Sequence, residues 1–264
     1  MRLLLVGAVL APHCAWAQMQ PHRAEYALRM GAATNASRIG TAMQDITLDC
    51  TGWRIKRDVA SEVALTASWK VSFSSKLEGE EQPSGNGFQY RIVQTENGNR
   101  RESQGRVART DGDTRAEIVS AAGPAQRSLP LATLMPVAAM SHLVERLRTK
   151  PAAFPTFIYA AEAMGDAFRV DVRALDPAAL RPAPRTANII AVPAAQFWPV
   201  LMTFRRDGTA DQKPLFSMSA KIFESGVLDR VTVDAGIVTL AADLQTLEMH
   251  KKPTCPESKH PVGD

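Results

Sequence analysis

Apolar residues fall at every second position over most of this chain, and that period constrains the fold more than any other feature. In HRAEYALRM, Ala24, Tyr26, Leu28 and Met30 point one way while Arg23, Glu25 and Arg29 point the other. In DITLDC, Ile46, Leu48 and Cys50 share a face against Asp45, Thr47 and Asp49, so the alternation predicts an inward-facing Cys50. GWRIKRDV sets Trp53, Ile55 and Val59 opposite Arg54, Lys56 and Asp58, and SWKVSF and GFQYRIV repeat the pattern. Side chains on a strand alternate between faces, so these runs read as strands with one face in a core and one in water. Turn signals separate them at Gly85-Asn86-Gly87, Asn97-Gly98 and Asp111-Gly112-Asp113. The result is an antiparallel meander.

One segment departs from the rhythm. In PVAAMSHLVERLRTK, 136–150, Val137, Met140, Leu143, Val144 and Leu147 recur at helical spacing, with Pro136 at the start and Pro151 after the end. This predicts the principal helix of the chain. At 100° per residue His142 falls away from the apolar stripe, on a solvated face. Beyond the helix, TFIYAAEA and AFRVDVRAL read as two strands. A Pro-rich stretch, 176–199, reads as a long irregular crossover, and the last third reads as a three-stranded meander. AQFWPVLMTF, 195–204, is apolar on both faces, which fits a doubly covered strand or one lining an apolar groove.

The N-terminus sets the compartment. Arg2 precedes an apolar run from Leu3 to Ala11, followed by Ala15-Trp16-Ala17, a small-x-small cleavage pattern. Residues 1–17 therefore read as a secretory signal peptide, 18–249 as one β-rich domain, and 250–264 as a Pro-rich tail. Ala11-Pro12-His13 ahead of Cys14 does not resemble a lipoprotein signal. No later segment approaches the roughly 18 apolar residues of a membrane span, so no transmembrane anchor is expected. Of three cysteines, cleavage leaves Cys50 and Cys255. In an oxidising compartment an isolated pair reads as one disulfide.

Chemistry-bearing motifs are scarce. There is no Gly-x-Ser-x-Gly, His-Glu-x-x-His or phosphate loop. GNGFQY lacks the third glycine of a dinucleotide fingerprint and opens a strand, so it reads as a hairpin turn. DGTAD, 207–211, is too short for a calcium loop. His250, Cys255 and His260 have a ligand-like spacing, but an oxidised Cys255 is no thiolate ligand. The other histidines left after cleavage, His22 and His142, have no acidic or nucleophilic neighbour in a known spacing. We therefore expect no catalytic residues, no metal site and no cofactor. The formal charge of +4 and pI near 9.1 suit anionic surfaces, but no run of like charge marks a nucleic-acid site.

Four stretches together have a familiar form: HRAEYALRM directly after the signal peptide, DCTGWRIKRD, LPLATLMPVAAMSHLVERL, and SGVLDRVTVDAGIVTLAADLQTLEM running on to KPTC. Over residues 20–256 the chain resembles the cell-envelope integrity protein B (EipB) family of Gram-negative alphaproteobacteria. The resemblance implies a mainly β fold, a long antiparallel meander curled into an open, spiral-like barrel. It implies a periplasmic, non-enzymatic protein that supports envelope integrity, and an internal disulfide, here Cys50–Cys255. It also implies a link to a periplasmic tetratricopeptide-repeat protein. The alternative is a carrier holding a lipid or lipoprotein acyl chain in an apolar groove (an analogy of fold). A peptidoglycan hydrolase is disfavoured by the missing motifs. An open apolar groove would favour the carrier, and a filled barrel with an exposed apolar patch would favour a partner-binding protein.

Overall fold

The computed structural model describes residues 19–64, 70–149, 153–163, 165–183, 192, 196–206 and 213–255. The expected signal peptide and the DGTAD segment lie outside them. The chain forms β1 (His22–Met30), β2 (Arg38–Asp49), β3 (Gly52–Ala64), β4 (Lys70–Glu81), β5 (Gly87–Glu96), β6 (Asn99–Arg109), β7 (Thr114–Ser120) and β8 (Gly123–Leu129). The two-residue β9 (Thr133–Leu134) leads into α1 (Pro136–Arg148). Then follow β10 (Ala153–Ala160), β11 (Asp166–Ala174), β12 (Phe197–Arg206), β13 (Phe216–Phe223), β14 (Leu228–Asp234) and β15 (Thr239–Met249). Short 3-10 turns occupy Ala161–Ala163 and Pro177–Ala179.

Among the described residues fifteen strands join one sheet, ordered β8 back to β1, then β15 back to β9. Neighbours in sequence pair throughout each meander, and β1 with β15 joins the two. The sheet curls into a nearly closed barrel with one seam, between β8 and β9. Every pairing is antiparallel except β9 with β10, which is confined to Phe157–Thr133 and Ile158–Leu134. The hairpins follow from local residues. Between β5 and β6 the two-residue turn is Asn97-Gly98, both at positive φ (49° and 83°), the geometry that matches strand twist.

Register explains which faces are buried. Ile46, Ile55, Gly79, Tyr90, Gly105 and Ile118 form one cross-strand row from β2 to β7 on the inner wall. The next row, Trp53, Glu81, Phe88, Val107 and Ala116, lies beside it. Helix α1 packs its apolar face against the inner wall of the barrel. Its Val137 joins the core lined by Phe88, Tyr90 and Tyr159, while Leu143, Val144 and Leu147 join a second core against β10–β13. Met140 packs against both. His142 is exposed, as the helical spacing predicts, with its ring edge-on to Phe154.

The turn after β10 ties the seam. Glu162 accepts from Arg57 Nη1 at 2.8 Å, and its carbonyl accepts from Gln94 Nε2 at 3.3 Å. Asp166 pairs with Arg127 on the edge strand β8. Burial works to raise the Glu162 carboxyl, but the charge and hydrogen bond of Arg57 outweigh it and leave Glu162 below its ordinary range.

Candidate functional site

The cysteine pair lies at one end of the barrel. Alternation predicts Cys50 inside, but the structure places it exposed, in the turn past the end of β2. Asp49 is the reason. Its Oδ1 accepts from Thr51 N at 2.7 Å, Thr51 Oγ1 at 2.6 Å and Gly52 N at 3.0 Å, closing the turn one residue before the strand would present Cys50 inward. Arg54 Nε donates to Asp49 Oδ2 at 2.7 Å. The Thr51 hydroxyl and Arg54 hold the Asp49 carboxyl well below the usual carboxylate range. Cys255, also exposed, comes up beside this turn. The two Cα atoms are 5.4 Å apart and the sulfurs are at bonding distance.

The tail reaches this point by running along β1 and β2. His250 N donates to Pro21 O at 2.9 Å, and its Nε2 lies 2.8 Å from Asp45 Oδ1. Sequence spacing does not reveal this histidine–carboxylate contact, because 205 residues separate the partners. His22 lies fully buried nearby, its Nδ1 2.8 Å from Gln20 O. His260 lies outside the described residues. Among the described residues no group of three His, Cys, Asp or Glu is arranged to hold a metal.

Aromatic side chains pack within the barrel interior. Phe88 stacks on Tyr90 with ring centroids 5.4 Å apart, and the Tyr90 and Tyr159 hydroxyls hydrogen bond at 2.9 Å across the barrel. Two glycines make room for this aromatic group: Gly79 lies under the Phe88 ring and Gly105 under the Tyr90 ring. A methyl group at either position would overlap the ring. Gly105→Ala is therefore expected to destabilise the fold by about 1–3 kcal/mol. A shift of the urea midpoint at unchanged m-value would check it, and an unshifted midpoint would contradict the packing.

In the apolar strand β12, Val200 and Met202 are buried in the core, while the exposed Phe197 and the half-buried Leu201 point outward. Phe197 and Phe223 hold the Lys221 ammonium at 4.1 and 4.3 Å from their ring centroids. Of the exposed large apolar side chains, Phe73, Leu215, Ile237, Val238 and Leu240 lie at the barrel end where β4, β13 and β15 begin, Ile237 being 97% exposed at the β14–β15 turn, while Val119, Leu131 and Phe197 lie elsewhere. On the outer wall, the concave face of β3–β7 forms a hollow of about 580 Å³ lined by Arg54, Lys56, Glu80, Arg91, Arg106 and Glu117 among others. Its lining carries both signs of charge.

A family model described as EipB-like matches residues 14–251, nearly the whole chain. The chain belongs to the EipB-like family. The likeness extends to a crystal structure, that of a beta-barrel-like protein of domain of unknown function DUF1849 from Brucella abortus. The two superpose with a TM-score of 0.76 over 89% of this chain and 99% of that one, at 18% identity. At that identity the likeness bears on the fold, and it accords with the spiral barrel expected of an EipB-like sequence. No curated protein matches the chain. The family match ends at Lys251, four residues before Cys255, so it covers one cysteine of the pair.

Proposed function

We propose that this EipB-like protein is exported to the periplasm and supports cell-envelope integrity without catalysis, by binding a periplasmic protein. The observation that carries this reading is a barrel whose interior is packed with its own helix and aromatic side chains, while apolar side chains stand exposed at one end. Apolar side chains gathered on a surface mark contact sites for other macromolecules. A carrier of lipid or acyl chains requires an apolar concavity, and the space where one would lie is taken by Phe88, Tyr90, Tyr159 and α1. The two cysteines at bonding distance suit an oxidising compartment. On the family resemblance, a tetratricopeptide-repeat protein is the partner to look for first.

The test is a crosslinked pull-down from intact periplasm, analysed for protein and for lipid, beside a deletion strain challenged with detergent and cell-wall antibiotics. The expected result is a protein partner and envelope sensitivity, both weakened by Ile237→Asp with Leu240→Asp. Stoichiometric lipid without a protein would turn the reading to the carrier. Hydrolysis of peptidoglycan or a lipid ester by the purified protein at enzyme-like rates would overturn it.

A further inference from the structure

Helix α1 starts without a cap of its own. Its N-cap residue is Met135, which makes no side-chain cap bond, and its first turn carries no acidic residue. The first N–H groups of a helix have no partner within it and must find one elsewhere when buried. Here they find Glu81, on the inner face at the end of β4. Its Oε2 accepts from Val137 N at 2.7 Å and its Oε1 from Ala138 N at 2.8 Å. Glu81 is 2% exposed. One side chain, 56 positions away from Val137, thus fixes the helix to the barrel wall.

We propose that Glu81 is a protonation-dependent latch, and that its charge state sets how tightly the first turn of α1 is seated in the barrel. The surroundings are nearly neutral. From β3 come Trp53 and Arg57, from β5 Phe88 and from β6 Val107, and Arg57 is the charged group among them. Arg57 is already engaged by Glu162. On β4 itself, Glu80 points to the outer face, where Arg54 pairs with it. From α1 come Pro136, Val137, Ala138 and Ala139, and its first ionisable side chain is His142. Ionised Glu81 would be a strong cap, because both bonds would be charge-assisted. It would also be a carboxylate with little to replace its lost water.

Burial is the larger effect. It pushes the Glu81 carboxyl from 4.5 up to about 7, against the two backbone bonds and Arg57, which lower it. The seated helix therefore holds a proton, between pH 4.5 and about 7, that an unseated one releases. Wherever the open state binds fewer protons, raising the pH favours opening. Seating is firmest below this window and weakens as pH rises through it. His22 acts in the opposite sense on global stability. Burial lowers its pKa, so its contribution is lost as pH falls below 6.5.

Amide hydrogen exchange at pH 5 and pH 8, corrected for intrinsic rates, tests the latch in the intact protein. Protection of Val137, Ala138 and Ala139 is expected to fall by up to about 100-fold between the two pH values. Glu81→Gln, which keeps the shape without the titration, is expected to show the same protection at both. Carbon-13 titration of the wild-type Glu81 carboxyl gives a reading that needs no variant, with a midpoint expected near neutrality. A midpoint below 5, unchanged protection in the wild type, or an equal fall in Glu81→Gln would each overturn the proposal.

Discussion

Replacing Cys50 or Cys255 with serine is expected to lower the melting temperature by roughly 10–20 °C at the upper limit. The pair closes a loop across 205 positions. Chain-entropy arguments convert a loop of that size to about 5 kcal/mol, less whatever residual structure the open chain retains. The structure adds a local reason. β15 ends at Met249, and between there and Cys255 the tail has no regular structure, with bonds of His250 to Pro21 and Asp45 tying it down. Cutting the bridge frees the tail beside the β1–β15 pairing that unites the two meanders. The chain should still fold when reduced, because the interior core does not include either cysteine. Thermal melts with and without reductant, beside non-reducing peptide mapping, check this. Free thiols at both positions in protein taken from the periplasm, or melts that coincide, would defeat it.

Legibility in the sequence follows the distance over which the cause acts. Alternation in β1–β5, the Asn97-Gly98 turn and the helical spacing of Val137, Met140, Val144 and Leu147 act over a few residues, and all can be read directly. The inward Cys50 fails at the point where a side chain overrides the period: Asp49 closes the turn early. The Asp-x-Thr-Gly step was the signal available for it. Contacts between distant segments leave little local trace. Nothing near Met135 announces that Glu81 will cap the helix, and nothing in β1 names β15 as its partner. The outer face of β1 and β15 does carry a trace. Ala27 and Ala241 stand at outward positions where other strands carry charges, and small residues there mean that another segment lies on top.

The described start of the Pro-rich crossover reaches that face through Arg181, and this anchor gives the second large expectation. Leu180 and Arg181 are buried, and Arg181 Nη2 donates to Asp243 Oδ1 with both side chains 2% exposed. Arg29 Nε donates to the other oxygen of Asp243 at 3.2 Å. The Arg181 Nε and Nη1 have no hydrogen-bond partner among the described residues, so Asp243 is the hydrogen-bonded counter-charge of that guanidinium, with the Asp229 carboxylate adding a favourable charge nearby. Removing one partner of a buried ion pair leaves the other charged and dry, at a cost of about 3–5 kcal/mol. Asp243→Ala is expected to fall in that range by urea unfolding. The charge, not the lost packing, should be the cause, and a second variant separates the two. In Arg181→Met with Asp243→Leu the stranded guanidinium is gone and apolar volume replaces it. Such replacements are often neutral or stabilising. Arg29, less buried, can turn toward solvent. The double variant should therefore be more stable than Asp243→Ala alone. If it were equally unstable, the crossover would be held by packing around Leu180 and the ionic anchor would contribute little.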